Sequence, residues 1–228
     1  MRTKTLLLTA ALAAAGALSS MAQSNVYSLN VVGYVNLSLT NGFQMIANQL
    51  DFDGTGTNNT LATVFGTNLP SLSKVYAYNA GTATFSAATY SAASATWIGN
   101  TAAADSSLQP GGGVFLSIPA SATAPVTVTT VGTVLQGTLS TPYIAGLNII
   151  SSKVPIAGGA GALGLTNSAS TLDAVYQFVP AIQTYGPKHT YVATTGTWIG
   201  GEPQIAVGES FWYDAHNAGS WTVTFTVQ

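Results

Sequence analysis

Few residues in this chain are equipped for chemistry. Glu202, Glu209 and Asp214 gather near the C-terminus, with His216 beside Asp214 and His189 upstream. Two carboxylates flanking one bond are what glycoside hydrolysis needs, and His189, His216 and Asp214 could form a metal triad. Yet Glu209 and Asp214 are separated by an odd number of residues, so a regular strand would point them to opposite faces. Glu202 lies in a Gly-Gly-Glu-Pro turn and His189 in a Gly-Pro-Lys-His turn. The expected reading is solvated loop acids and exposed loop histidines rather than a catalytic set. Gly208–Trp212 places a serine after Gly-Glu but lacks the second glycine of a nucleophile elbow. Gly158–Gly164 resembles a nucleotide loop without the strand and helix that such a loop requires, and reads as a flexible loop. The chain is therefore expected not to be an enzyme.

A cation is the second possibility. In Asp51–Asn59, Asp51, Asp53, Thr55 and Asn59 fall at positions 1, 3, 5 and 9 of a calcium loop, with Gly56 at the sharp turn. Position 12 is Ala62, so the bidentate acid is missing. An Asp/Gly/Asn-rich turn between strands accounts for the same residues. Calcium is the one cofactor this sequence suggests.

Aromatic side chains are the third resource. Trp97, Trp198, Tyr76, Tyr78, Tyr176 and Trp212, with Tyr185 and Tyr191, could stack on the apolar faces of sugar rings. The competing reading for Trp97 and Trp198 is core packing, since tryptophan is highly buried on average. Tyr76 and Tyr78 share one face of a strand whose other face carries Val75 and Ala77. One face must be core, and the other is the better binding platform.

The elements that hold these residues read as strands. Trp221–Val227 alternates Trp221, Val223, Phe225 and Val227 with threonines, the period of a half-buried strand. Val126–Val131 nearly repeats it, and short β-prone runs occur at 75–78, 114–118, 175–178 and 211–213. Thr60–Phe65 is the one fair helix, a single turn after Asn59, with Ser170–Ala174 as an equally short counterpart.

These runs recur in order. Gly42–Ile46 matches Gly146–Ile150, Leu72–Tyr78 matches Leu172–Phe178, and Thr96–Gly99 matches Thr197–Gly200. Leu108–Leu116 matches Ile205–Tyr213, and Val126–Val128 matches Trp221–Val223. The offsets drift through 104, 100, 101, 97 and 95, as small loop insertions would produce. The expected fold is all-β: two tandem antiparallel units of roughly 100 residues, either sandwich-like or halves of one pseudo-symmetric body. The first unit spans 23–135, with Val26–Val35 as a lead-in strand, and the second spans 136–228. Little helix is expected beyond the first 22 residues. The succession G-[FL]-[QN]-[MI]-I, V-Y-x-[YF], Trp and G-x-x-[VF]-[FW] resembles a repeat of uncharacterised secreted bacterial proteins. Those carry GWNLIGNP, vYvWn and PGxGFWV blocks. The resemblance implies secretion and β architecture, with no activity attached.

Export is also written at the N-terminus. Arg2 and Lys4 precede an apolar run to Leu18, and Ser20-Met21-Ala22 supplies small residues before a cleavage site, so 1–22 reads as a signal peptide. Without it the chain keeps three lysines against seven acids, a net charge of −4, which excludes the basic surface of a nucleic-acid binder. Cysteine is absent, so disulfides and thiolate metal sites are excluded. The mature chain has no run long enough for a spanning helix, and most of its strand runs are too short for an outer-membrane barrel. The expected protein is a secreted, non-catalytic structural or interaction protein of the bacterial cell surface or matrix, with the periplasm as another location. Its expected partners are other surface proteins or polysaccharide. A carbohydrate-binding module is the alternative, and a secreted glycoside hydrolase a further one.

Overall fold

Alternating sequence becomes pleated strand wherever one face can be buried. A computed structural model describes residues 31–227, so the expected signal peptide at 1–22 and the first residues of the expected lead-in strand lie outside the described residues. Strand β1 (Val32–Leu39) turns Val35, Leu37 and Leu39 inward and runs four residues further than the sequence suggested. It pairs antiparallel with β7 (Val126–Thr133) along its whole length. The pleat of β7 keeps its period through Thr129-Thr130, so Thr130 is buried while Val131 is left exposed. The C-terminal half repeats this ribbon with β8 (Gly137–Tyr143) and β18 (Gly219–Phe225), where Trp221 is buried and its flanking residues are exposed.

Each ribbon lies on a five-stranded antiparallel sheet. The first sheet uses β2 (Gly42–Ile46), β3 (Lys74–Asn79), β4 (Thr84–Ser91), β5 (Thr96–Gly99) and β6 (Val114–Ile118), in the order β2-β6-β3-β4-β5. In the C-terminal half come β9 (Gly146–Ser151), a two-residue β10 (Gly158–Gly159) and β11 (Ala174–Tyr176). They are followed by β12 (Phe178–Val179), β13 (Thr184–Tyr185), β14 (His189–Val192), β15 (Thr197–Ile199), β16 (Gln204–Ile205) and β17 (Ser210–Ala215). The second sheet is ordered β9-β17-β11-β14-β15, the same succession of positions as the first. Inside the N-terminal half, Val75, Leu116 and Ile118 pack against Val35, Leu39 and Val128. Inside the other, Val175, Phe211 and Tyr213 pack with Tyr143 and Trp221. Full burial of such side chains contributes about 1.5–3 kcal/mol each. The protein is all-β in this sense, and no sheet among the described residues closes into a barrel.

Two short helices interrupt the strands. Helix α1 (Leu61–Phe65) starts at Thr60, whose hydroxyl accepts from the Thr63 amide, a capping arrangement. Helix α2 (Thr101–Ser107), capped by Asn100, was not expected, because its Ala- and Ser-rich sequence has no apolar period. Its Ala104 is buried, and its Asp105 carboxylate accepts from the Leu61 amide, tying the two helices together. Ser170–Asp173 is a turn rather than a helix.

Backbone geometry matches between the halves at demanding places. Leu72 and Leu172 are both left-handed, with φ of 70° and 79°, and each donates its amide across to the carbonyl of Tyr90 or Tyr191. Gly99 and Gly200, which close the two Trp-Ile-Gly phrases, have φ of 117° and 92°. A Cβ at Gly99 would stand 2.5 Å from the Ala87 carbonyl oxygen, and one at Gly200 would meet the Lys188 carbonyl in the same way. Only glycine fits there.

The halves meet through equivalent bonds. Ala47 donates its amide to Gly208 O (2.8 Å), and Ser151 donates to Gly111 O (2.9 Å). Ile46 bridges to Glu209 as Ile150 bridges to Gly112. These backbone contacts from first half to second have mirrors from second to first, as a local two-fold would give. Gly113 and Ser210 face one another across it: a Cβ on Gly113 would fall on the Ser210 side chain. Ser210 meanwhile donates its hydroxyl to the Ile46 carbonyl (2.9 Å).

Candidate ligand-binding clefts at the seam

Trp97 and Trp198 face inward. On the edge strands β5 and β15 they pair in register with Tyr90 and Tyr191, with ring centroids 5.3 Å and 5.1 Å apart. Trp198 is 8% exposed and donates its indole N–H to Thr166 Oγ1 (3.0 Å). Trp97 is half-buried against Phe65, and its indole nitrogen is buried without a hydrogen-bond partner. Neither ring offers the open face that stacking on a sugar requires. The outward residues of those strands, Ile98 and Ile199, are 62% and 65% exposed instead.

The other four aromatic candidates come together. Val75 and Ala77 are buried in the first core, which turns Tyr76 and Tyr78 to the opposite face of their sheet. That face packs on the corresponding face of the second sheet, where Tyr176 and Trp212 are register neighbours on β11 and β17. Tyr78 meets Trp212 edge-on at 4.7 Å, and Phe178 meets Phe115 at 5.7 Å, the same positions with the halves exchanged. Edge-to-face pairs of this kind contribute about 0.5–1.5 kcal/mol beyond area burial.

Two clefts open on this aromatic seam. One, of about 580 Å³, is lined by Leu147, Tyr176, Tyr185, Trp212 and Asp214. The other, of about 470 Å³, is lined by Phe43, Tyr76, Phe85, Phe115 and Phe178. Four lining positions correspond: Leu147 to Phe43, Tyr176 to Tyr76, Tyr185 to Phe85, and Trp212 to Phe115. The fifth does not: Asp214 occupies the place of Ser117. Sequence reasoning missed Phe43, Phe85, Phe115 and Phe178 as lining residues. Strand parity offered a signal, since Phe85 follows Tyr78 around a tight hairpin and pairs with it in register.

The polar candidates are mostly occupied by their own neighbourhood. Asp51 is buried and accepts from the Asn59 side chain (3.1 Å) and the Gly56 amide (2.8 Å). Asp53 accepts from the amide and hydroxyl of Thr55 and from Asn58, and these bonds hold its carboxyl below the usual range. Asn59 turns its oxygen inward to Asn48 and the Phe52 amide. The loop is thus a self-satisfied turn. Glu202 accepts from the Gly161 amide (2.6 Å), and a Cβ at Gly159 or Gly161 would strike its carboxylate. The Gly158–Gly164 segment therefore lies against an exposed acid of the chain itself. It buries Ala160 and Leu163 and pairs through β10 with β16, so it is a packed element rather than a flexible loop.

Glu209 accepts from Gln177 (2.7 Å) and the Ala206 amide (2.8 Å), and burial pushes its carboxyl up from the ordinary 4.5. It opens on a third cleft, of about 490 Å³, shared with Gln44, Gln177 and His189. Glu209 and Asp214 thus line different clefts and do not flank one space. His189 is buried on β14, with Nδ1 2.8 Å from Gly201 O, contrary to the exposed position expected. His216 is exposed and donates its amide to Asp173. Asp173, which the sequence did not single out, is buried and takes the Tyr213 hydroxyl at 2.5 Å. Burial and that carboxylate together push the Tyr213 phenol far up. Among the described residues no group of three or more His, Asp or Glu stands ready to hold a metal ion. Of the seven acid side chains, Asp214 alone has a carboxylate with no hydrogen bond or ion pair among the described residues.

No protein-family model, curated protein or solved structure matches this chain.

Proposed function

We propose that the chain is a secreted, non-catalytic interaction protein of the bacterial cell surface or extracellular matrix, which meets its partners through the two aromatic clefts of the seam. One observation carries this reading. Four corresponding positions of the two halves line two solvent-open apolar clefts. Open aromatic surface of that kind marks interaction sites. The export signal at 1–22 and the sparse charge of the sequence support the location. The engagement of six of seven acids in hydrogen bonds within the chain supports a binding rather than a catalytic role. The two halves, 23–135 and 136–228, are read as copies of one ancestral unit.

A carbohydrate-binding module is the second reading, favoured by the rings of Tyr176, Tyr185 and Trp212 lining a cleft that also holds an acceptor carboxylate. In this reading Tyr76 serves the other cleft and Tyr78 becomes a packing residue. Both readings are tested by presenting immobilised cell-wall polysaccharides and purified surface proteins to the wild type and to Tyr176→Ala and Phe85→Ala variants. Retention that falls in at least one variant, with folding intact, is the expected result. Retention indifferent to both, or turnover of model glycosides that Glu209→Gln abolishes, would overturn it.

A further inference from the structure

Asp214 stands apart from the other acids. It lies two residues beyond Trp212 on the same face of β17, flanked in register by Leu147 on β9 and Ala174 on β11. Leu147, Tyr176, Tyr185 and Trp212 supply the rest of the cleft wall. The Tyr185 hydroxyl accepts from Trp212 Nε1 (2.9 Å), which fixes two of the three rings against each other. A cation placed there would meet the carboxylate and the ring faces together.

The neighbouring cleft is a natural control. It carries rings at the positions of Tyr176, Tyr185 and Trp212, has Phe43 in place of Leu147, and is lined by no acid. Tyr176 already attracts a cation within the chain: the exposed Lys188 Nζ lies 5.5 Å from its ring centroid. A sugar would call for several donors and acceptors around its rim. This cleft offers one carboxylate and two phenols in a mostly apolar wall.

We propose that the Tyr176–Tyr185–Trp212–Asp214 cleft binds an alkylammonium cation, the trimethylammonium head being the best-fitting group. Its methyl groups contact the rings while its charge faces Asp214. The proposal rests on the seam clefts being the binding surface and adds the chemical class of one ligand. The head group could arrive on a free solute or on a phosphocholine lipid.

The test is calorimetric titration of the protein with choline chloride and with 3,3-dimethyl-1-butanol, choline's uncharged carbon isostere. Choline is expected to bind more tightly than the isostere. Asp214→Asn should weaken choline by about tenfold, as loss of one nearby opposite charge at a solvent-open site does, and leave the isostere unchanged. Lys188→Met should tighten choline, because a competing cation is removed from Tyr176, whereas a neutral ligand would not gain. Phosphatidylcholine vesicles form the second arm. Retention on vesicles that choline displaces assigns the lipid source, and choline binding without retention assigns the free solute. Equal affinity for choline and its isostere, indifference to Asp214→Asn, or no choline binding overturns the proposal. Polysaccharide or protein capture sensitive to Phe85→Ala would still uphold the broader function.

Discussion

The two clefts of the seam share a frame and differ in chemistry. Tyr76 and Tyr176, Phe85 and Tyr185, and Phe115 and Trp212 hold matching places, while Asp214 lines one cleft only and Phe178 the other only. The cores beneath them follow the same rule. Trp97 and Trp198 sit on equivalent tyrosines, yet only Trp198 has a partner for its indole N–H. Packing positions are held by the requirement to fill a core, which any large aromatic of similar shape satisfies. Positions facing solvent are free of that requirement and can diverge in chemistry. The difference between the clefts is therefore where to look for a specific ligand.

The comparison breaks most visibly at the tryptophans. Trp198→Ala should cost about 3–5 kcal/mol, as for a fully packed aromatic. Trp97→Ala should cost less, because that ring is half-exposed and its nitrogen already lacks a partner. Urea denaturation measures both, and equal costs would mean that the two cores are more alike than their exposure indicates. The two-fold seam gives the next effect. Gly113→Ser should destabilise by about 1–3 kcal/mol through overpacking against Ser210. Adding Ser210→Gly should recover most of that loss, since the exchanged hydroxyl can then reach the Ile150 carbonyl as Ser210 now reaches Ile46. A double variant no better than the single one would deny the local symmetry.

Glu209 supplies a pH-dependent difference, for Gly112 holds its place in the other half. Burial raises its folded-state pKa, so the native state binds its proton more tightly than the unfolded chain does. Its contribution to stability is then greatest at low pH and declines as pH rises from about the ordinary 4.5 through the raised folded value. Glu209→Gln should flatten that decline in thermal midpoints taken from pH 4 to 8. A slope unchanged in the variant would assign the pH dependence elsewhere. The smallest effect belongs to Ile98→Thr and Ile199→Thr, each expected within about 0.5 kcal/mol of wild type because surface changes seldom cost more.

Much of the frame was legible from residue spacing. Alternation in β18 pointed to a strand, and the run after Asn59 pointed to a single helical turn. Parity put Tyr76 and Tyr78 on one face and Val75 with Ala77 on the other. The failures share a cause, contact between segments far apart in sequence. The Gly158–Gly164 segment looks flexible until the Glu202 carboxylate, 41 residues on from Gly161, is placed against it. His189 looks exposed until Gly201 folds over its ring. Helix α2 has no apolar period because a single buried alanine anchors it. The clefts were the least legible, since they exist only where the outer faces of two sheets meet. The Trp-Ile-Gly phrases, conspicuous in the sequence, turn out to be an inward plug, an exposed isoleucine and a glycine pressed on a neighbouring carbonyl.

Four indole N–H groups report on the central claim at once, because Trp97, Trp198 and Trp221 pack in the two cores while Trp212 lines a seam cleft. Their resonances, followed by ¹H–¹⁵N NMR during titration with soluble cell-wall oligosaccharides and then choline chloride, separate the two locations. A ligand at the seam moves the Trp212 signal and leaves the other three in place. Movement of Trp97 or Trp198 with Trp212 unmoved, or a Trp212 signal silent to every probe, would contradict a binding function at the seam.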